Sequence, residues 1–92
     1  MANHKSAVKR AKQSEARRLR NRMRKTRMKN VIKEVQEAIS SNSTELVMER
    51  LRQAVSTIDR TAGKGVIHKN NAARKISRLT RRVQDFLAAK NA

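Results

Sequence analysis

Bulky apolar side chains are scarce at the front of this chain and periodic behind it. Residues 2–27 contain only Val8, Leu19 and Met23, whereas residues 28–87 contain eighteen. Met28, Val31, Ile32, Val35, Ala38 and Ile39 follow an i, i+3, i+4, i+7 rule and so share one face of a helix. Nothing breaks that helix upstream as far back as about Ser6, because Ala, Arg, Lys, Gln, Glu and Met dominate there and all form helices well. Ser40-Ser41-Asn42-Ser43 ends it, since short polar side chains bond nearby backbone groups and favour turns and caps. Asn42, with Glu45 three residues on, and Ser43 are equally good N-caps for a second helix. That helix places Val47, Met48, Leu51, Ala54, Val55, Ile58 and Ala62 on its apolar face. Gly63 and Gly65 terminate it, one of them in a left-handed conformation. A third helix starts near Ile67 or His68 and presents Ala72, Ala73, Ile76, Leu79, Val83, Phe86 and Leu87.

Short connections imply antiparallel neighbours, so the expected fold is an all-α, up-down-up three-helix bundle in a single domain spanning residues 1–92. The helix lengths do not match. At 1.5 Å per residue, residues 6–40 make a helix of roughly 50 Å, against roughly 27 Å and 33 Å for the other two. About four turns of the first helix therefore overhang, dividing the domain into an arm of about residues 1–22 and a bundle of 23–92. At roughly 2 kcal/mol per buried side chain, the bundle supports a small core. The arm cannot meet an ordering cost of roughly 1–2 kcal/mol per residue. It should be frayed in the free protein and become ordered when a partner neutralises its charges. Met23, Met28 and Met48 read as core fillers.

Charge follows the opposite distribution. The chain has 92 residues, 24 Lys+Arg, 7 Asp+Glu and a formal net charge of +17. Residues 1–33 hold 13 cations and one acid, residues 34–60 hold 3 and 5, and residues 61–92 hold 8 and one. The middle is thus an ordinary protein surface, and the two ends are suited to a polyanion. There is no Cys, which excludes disulfides and thiolate chemistry, and Phe86 is the sole aromatic, which argues against a base-stacking platform. Two glycines and no proline disfavour a β-sandwich or barrel. No apolar run reaches the length of a membrane span, and the basic N-terminal stretch lacks the apolar segment of a secretory signal. An Arg-rich, acid-poor front also suits a transit peptide, but basic character resumes over residues 64–82.

The densest basic segment is the first helix, with Lys5, Lys9, Arg10 and Lys12 followed by Arg17, Arg18, Arg20, Arg22, Arg24, Lys25, Arg27 and Lys29. Successive residues step about 100° round a helix, so these cations surround most of it and suit approach by more than one nucleic-acid segment. A solvated face would instead mix signs or occupy one side. A second set comprises Lys64, Lys69, Arg74, Lys75, Arg78, Arg81 and Arg82, with Arg74, Arg78 and Arg81 forming a stripe. His68, Asn70 and Asn71 open that helix, where free N–H groups also attract phosphate; capping by the asparagines and a merely exposed histidine are the plain alternatives. Other matches are weak. Asn42-Ser43-Thr44 fits a glycosylation sequon but lies where a loop is expected. Gly63-Lys64-Gly65 lacks phosphate-loop spacing, and His4 and His68 have no ligating neighbours, so no metal or cofactor is expected. No nucleophile, base and orienting group stand together, so an enzyme is the least supported reading. The runner-up is a histone-like DNA-compacting protein, and a membrane-active helix lacks the bulky face it needs.

The opening Met1-Ala2-Asn3-His4-Lys5-Ser6-Ala7, then Lys9-Arg10, Gln13-Ser14-Glu15 and Arg20-Asn21-Arg22, resembles the family of bacterial small-subunit ribosomal protein number twenty. More specific is Asp59-Arg60-Thr61-Ala62-Gly63-Lys64-Gly65-Val66-Ile67-His68-Lys69-Asn70-Asn71-Ala72-Ala73-Arg74. The resemblance covers essentially the whole chain, although residues 41–57 match only in pattern. It implies a non-catalytic, cytoplasmic protein of the small ribosomal subunit that binds 16S ribosomal RNA directly and early in assembly. It further implies contact with the 5′ domain and the long stem near the 3′ end, few contacts with other ribosomal proteins, and no small-molecule substrate. By position, Lys5, Ser6, Lys9, Arg10, Lys12, Gln13, Arg17 and Asn21 are then RNA contacts from the first motif, and Gly65, His68, Lys69, Asn70 and Arg74 from the second.

Overall fold

Three helices, α1 (Ala2–Ser40), α2 (Thr44–Gly63) and α3 (Lys69–Asn91), are joined by two short loops. The computed structural model describes the backbone of residues 2–91 and the side chains of residues 5–91. Met1, Ala92 and the side chains of Ala2, Asn3 and His4, which open the first resembling stretch, lie outside the described residues. No strand occurs among the described residues, so the fold is all-α as the periodicity predicts. Both α1–α2 and α2–α3 are antiparallel neighbours. The last turn of α3 reaches the α1–α2 loop, and the C-terminal end of α2 lies beside Arg24 and Arg27 of α1. Helix α2 packs along both partners, whereas α1 and α3 meet only briefly.

The core runs along the helix faces that the sequence marked. Val35, Val47, Ala54 and Ile58 have no exposed surface, and Met28, Ala38, Ala72, Leu79 and Val83 complete the buried set. Val31, Ile32, Ile39, Leu46, Leu51, Ile67, Ile76, Phe86 and Leu87 pack around it. Some expected positions fall outside. Met23 is 63% exposed because five residues turn it about 140° from Met28. Met48 is 42% exposed, and Ala73 is also exposed, each one step of about 100° past a buried neighbour, Val47 and Ala72. Val55 is half-buried. Thr61 is the one buried polar residue among those described, and its hydroxyl donates to the Thr57 carbonyl at 2.7 Å.

Each helix end has an identifiable cause. Asn42 takes a left-handed conformation (φ 61°) just past α1, a role asparagine tolerates better than most residues. Ser43 is the N-cap of α2, accepting from the Leu46 N–H at 3.4 Å, which decides between the two candidates. At the far end, the Val66 N–H donates to the Thr61 carbonyl and the Gly65 N–H to that of Ala62, a Schellman pair. Gly65, at φ 74°, is therefore the left-handed glycine, and Gly63 ends α2 in ordinary helical geometry. Lys90 ties the bundle from α3: its Nζ donates to the Asn42 carbonyl at 2.6 Å and the Thr44 hydroxyl at 3.1 Å, and sits 5.4 Å from the Phe86 ring centre.

Helix α1 is 39 residues long, or about 58 Å, roughly twice α2, and the molecule extends 72 Å along its longest axis. Every side chain from Lys5 to Arg20 is exposed. The reason is visible in a seven-residue series. Val35 and Met28 are buried, and the same face continues upstream through Asn21, half-buried, to Ser14, exposed. In parallel, Ala38 and Val31 are followed by Arg24, Arg17 and Arg10. The core-facing stripe becomes polar where α1 outruns α2.

Candidate nucleic-acid interface

Sequence-marked cations occupy every side of the N-terminal half of α1. Lys5, Lys9, Arg10, Lys12, Arg17, Arg18, Arg20 and Arg22 are all exposed, with Ser6 and Gln13 among them. One shallow groove is lined by Ser14, Arg17, Arg18, Asn21, Arg22 and Lys25. Helical spacing explains it, because these positions recur every three or four residues along one face. Further down, Arg27 and Lys29 are exposed and Arg24 is half-buried, its guanidinium donating to Asn21 Oδ1 at 3.4 Å.

On α3, Arg74, Arg78 and Arg81 point away from the buried face of Ala72, Leu79 and Val83, as the stripe predicts. Lys75 is half-buried. Arg82 stands apart from the start of the helix, lining a depression with Gln36, Ile39, Asp85 and Phe86. It therefore shares its surroundings with an acid. Lys64, Lys69, Asn70 and Asn71 are exposed around the α2–α3 turn.

Two residues of that turn have local jobs that the sequence left open. His68 is the N-cap of α3: its carbonyl accepts from the Ala72 N–H at 3.1 Å, and its Nδ1 accepts from the Asn70 N–H at 3.0 Å. The asparagines are thereby released from capping and stay exposed. Gly65 supplies the left-handed backbone that turns the chain from α2 toward His68.

The structure also gathers cations that charge counting passed over. Arg24 and Arg27 of α1 line a cleft of about 160 Å³ with Thr57, Arg60 and Thr61 of α2 and Lys64 just past its end. Its continuation is lined by Arg27, Val31, Arg52, Gln53, Ser56, Thr57 and Arg60. Arg52 and Arg60 belong to the segment whose net charge is negative, which hid them. The available signal is spacing, since Arg52, Arg60 and Lys64, the last just past α2, stand at multiples of four residues. Among the described residues no cluster of three His, Cys, Asp or Glu stands ready for a metal, and no helix is long and apolar enough to cross a membrane.

Comparison with known proteins fits this geometry. Residues 2–84 match the family model described as Ribosomal protein S20. A protein of Syntrophobacter fumaroxidans named Small ribosomal subunit protein bS20 is 68% identical over 83 residues, covering 90% of this chain and 96% of that protein. Proteins of the same name from Nitratidesulfovibrio vulgaris and Desulfotalea psychrophila are 55% identical over 83 residues and 52% identical over 89. The first alignment covers 90% of this chain and 95% of the relative, the second 97% and 100%. With a family model spanning most of its length and relatives matched almost end to end, this chain belongs to the ribosomal protein S20 family.

Proposed function

We propose that this protein binds 16S ribosomal RNA directly and holds separate RNA helices together by neutralising their phosphates where they pack. Family membership makes it a structural constituent of the small ribosomal subunit, working in the bacterial cytoplasm and not as an enzyme. The finer reading rests on one observation: the first half of α1 buries none of its described side chains from Lys5 to Arg20 and carries cations on all sides. A flat patch meets one strand; a projecting basic helix can enter between two. We place the 5′ domain and the long stem near the 3′ end as the segments it joins, with few contacts to other ribosomal proteins.

Residues 1–22 then form an RNA-binding arm and residues 23–92 the bundle that anchors it. The arm carries like charges one turn apart, such as Arg18 with Arg22, which destabilise an isolated helix. Phosphates remove that repulsion, so RNA binding and arm ordering are coupled. Binding energy comes from counterion release and from Arg and Lys hydrogen bonds to phosphate oxygens. Recognition is by folded shape, because the deep groove of A-form RNA is closed to side chains.

The test is filter binding to small-subunit ribosomal RNA, with duplex DNA as competitor. Roughly 8–10 phosphate contacts give a log–log salt slope of about −7 to −9. Arg17→Ala and Arg24→Ala should each weaken binding and leave cooperative melting intact. A slope shallower than about −3, or duplex DNA competing as well as ribosomal RNA, overturns the reading.

A further inference from the structure

The seam between α1 and α2 gathers cations from separate stretches of the sequence, and its lining holds no acidic side chain, the nearest being Asp59 in the adjoining groove that Arg52 and Arg60 also border. Arg24 and Arg27 face Arg60 and Lys64 across the first cleft, and Arg52 extends the row along α2. The two guanidiniums with hydrogen bonds there use neutral partners, Arg24 on Asn21 Oδ1 and Arg60 on Ser56 Oγ at 3.3 Å. Bringing four cations into one cleft costs stability through mutual repulsion. Such an arrangement suits an anion that arrives from outside.

We propose that this seam is a phosphate-binding cleft in which Arg24, Arg27, Arg60 and Lys64 grip one segment of RNA backbone. The inference rests on the RNA-binding reading above and assigns a role to Arg60, in a segment whose charge balance points nowhere. Continuity identifies the ligand. The series Arg10, Arg17 and Arg24 runs along α1 into the cleft, and Asn21 joins the arm groove to it through Arg24. At the other end, Lys64 opens the turn that leads to Lys69 and Arg74. The seam therefore connects the two basic regions that are separate in sequence, so one backbone segment can pass from arm to turn. The chemistry also favours RNA over an acidic peptide. Ser56 and Thr57 offer hydroxyls to phosphate oxygens, whereas Val31 is the sole large apolar group in the lining; the apolar side chains Met48, Leu51 and Val55 lie in the adjoining groove beside Asp59, which repels an acidic peptide.

The test compares wild type, Arg17→Gln, Arg60→Gln and Arg60→Lys for binding to a small-subunit ribosomal RNA transcript across a salt series. Arg60→Gln should raise Kd roughly tenfold and reduce the magnitude of the log–log slope by about one. Arg60→Lys keeps the charge but loses the planar fork, so it should recover the slope and most of the affinity. Arg60 is exposed, so the variants should melt like wild type. As a measurement free of substitution, Arg60 in the wild-type complex should be shielded from phenylglyoxal and reactive in free protein. A steep wild-type slope and a weakened Arg17→Gln, with Arg60→Gln unchanged and Arg60 reactive in the complex, overturn the cleft alone. A shallow wild-type slope overturns the RNA-binding reading beneath it. Arg60-dependent capture of a poly-glutamate peptide as tight as that of RNA would assign the cleft to an acidic peptide and overturn the proposal.

Discussion

Joining Met1 directly to Asn21 separates the two physical jobs of α1. The deletion removes 19 residues of a 39-residue helix and no buried side chain, since everything described from Lys5 to Arg20 is exposed and the core begins at Met28. Changes confined to exposed positions typically stay within about 0.5 kcal/mol. For a domain of this size that is a shift in melting midpoint below roughly 4 °C. The lost segment carries seven cations and Glu15, so the net charge falls by six, from +17 to +11. Self-repulsion falls with it, which biases the small shift upward. RNA binding responds on a different scale. If these seven cations make about half of the proposed 8–10 phosphate contacts, at about 0.9 each, the deletion removes roughly four from the salt slope, and affinity should drop by a factor of about a hundred or more at moderate salt. Circular dichroism melts and filter binding over a salt series read both quantities. Hydrogen exchange on the full chain adds a third: amides of residues 8–20 should exchange far faster than those around Val35 and Ile58. A midpoint lowered by more than about 8 °C would show that the arm belongs to the core. An unchanged slope would show that it is not the electrostatic site, and strong protection of residues 8–20 in free protein would contradict its fraying.

Two substitutions test the bundle itself. Ile58→Ala empties a site with no exposed surface where all three helices contribute to one core, and should cost about 2–5 kcal/mol in urea unfolding. Gly65→Ala places a Cβ at φ 74°, where open space surrounds it but the backbone is strained, so about 1 kcal/mol should be lost, and the RNA contacts proposed near Lys64 and Lys69 should weaken through the altered turn. An unaltered midpoint for either would refute the assigned role.

Much of this is legible in the sequence. The i, i+3, i+4, i+7 series from Met28 to Ile39 located the core face of α1 because burial demands that period and nothing upstream supplied it. Gly65 and Ser43 were among the named cap candidates because left-handed backbone and orphan N–H groups each admit few side chains. Where the sequence misled, phase was the cause. Met23 and Met48 have core-filling chemistry, but each is turned out of the packed stripe. The cap of α3 was missed because histidine is a weak N-cap by type, and only the loop geometry brings Nδ1 to the Asn70 N–H.

The basic interface divides in the same way. The ring of cations around the N-terminal half of α1 is written in the sequence, because within one helix the angular position of every residue follows from its number. That applies equally to the exposed stripe of Arg74, Arg78 and Arg81 on α3. The α1–α2 seam depends instead on packing between helices. Arg24 and Arg60 lie far apart in the chain and become neighbours because an antiparallel turn and a shared core around Val35 and Ile58 set α2 against α1. Helical periodicity fixes direction around one axis; the distance between side chains on different axes is set by packing, and no pattern along a single helix contains it.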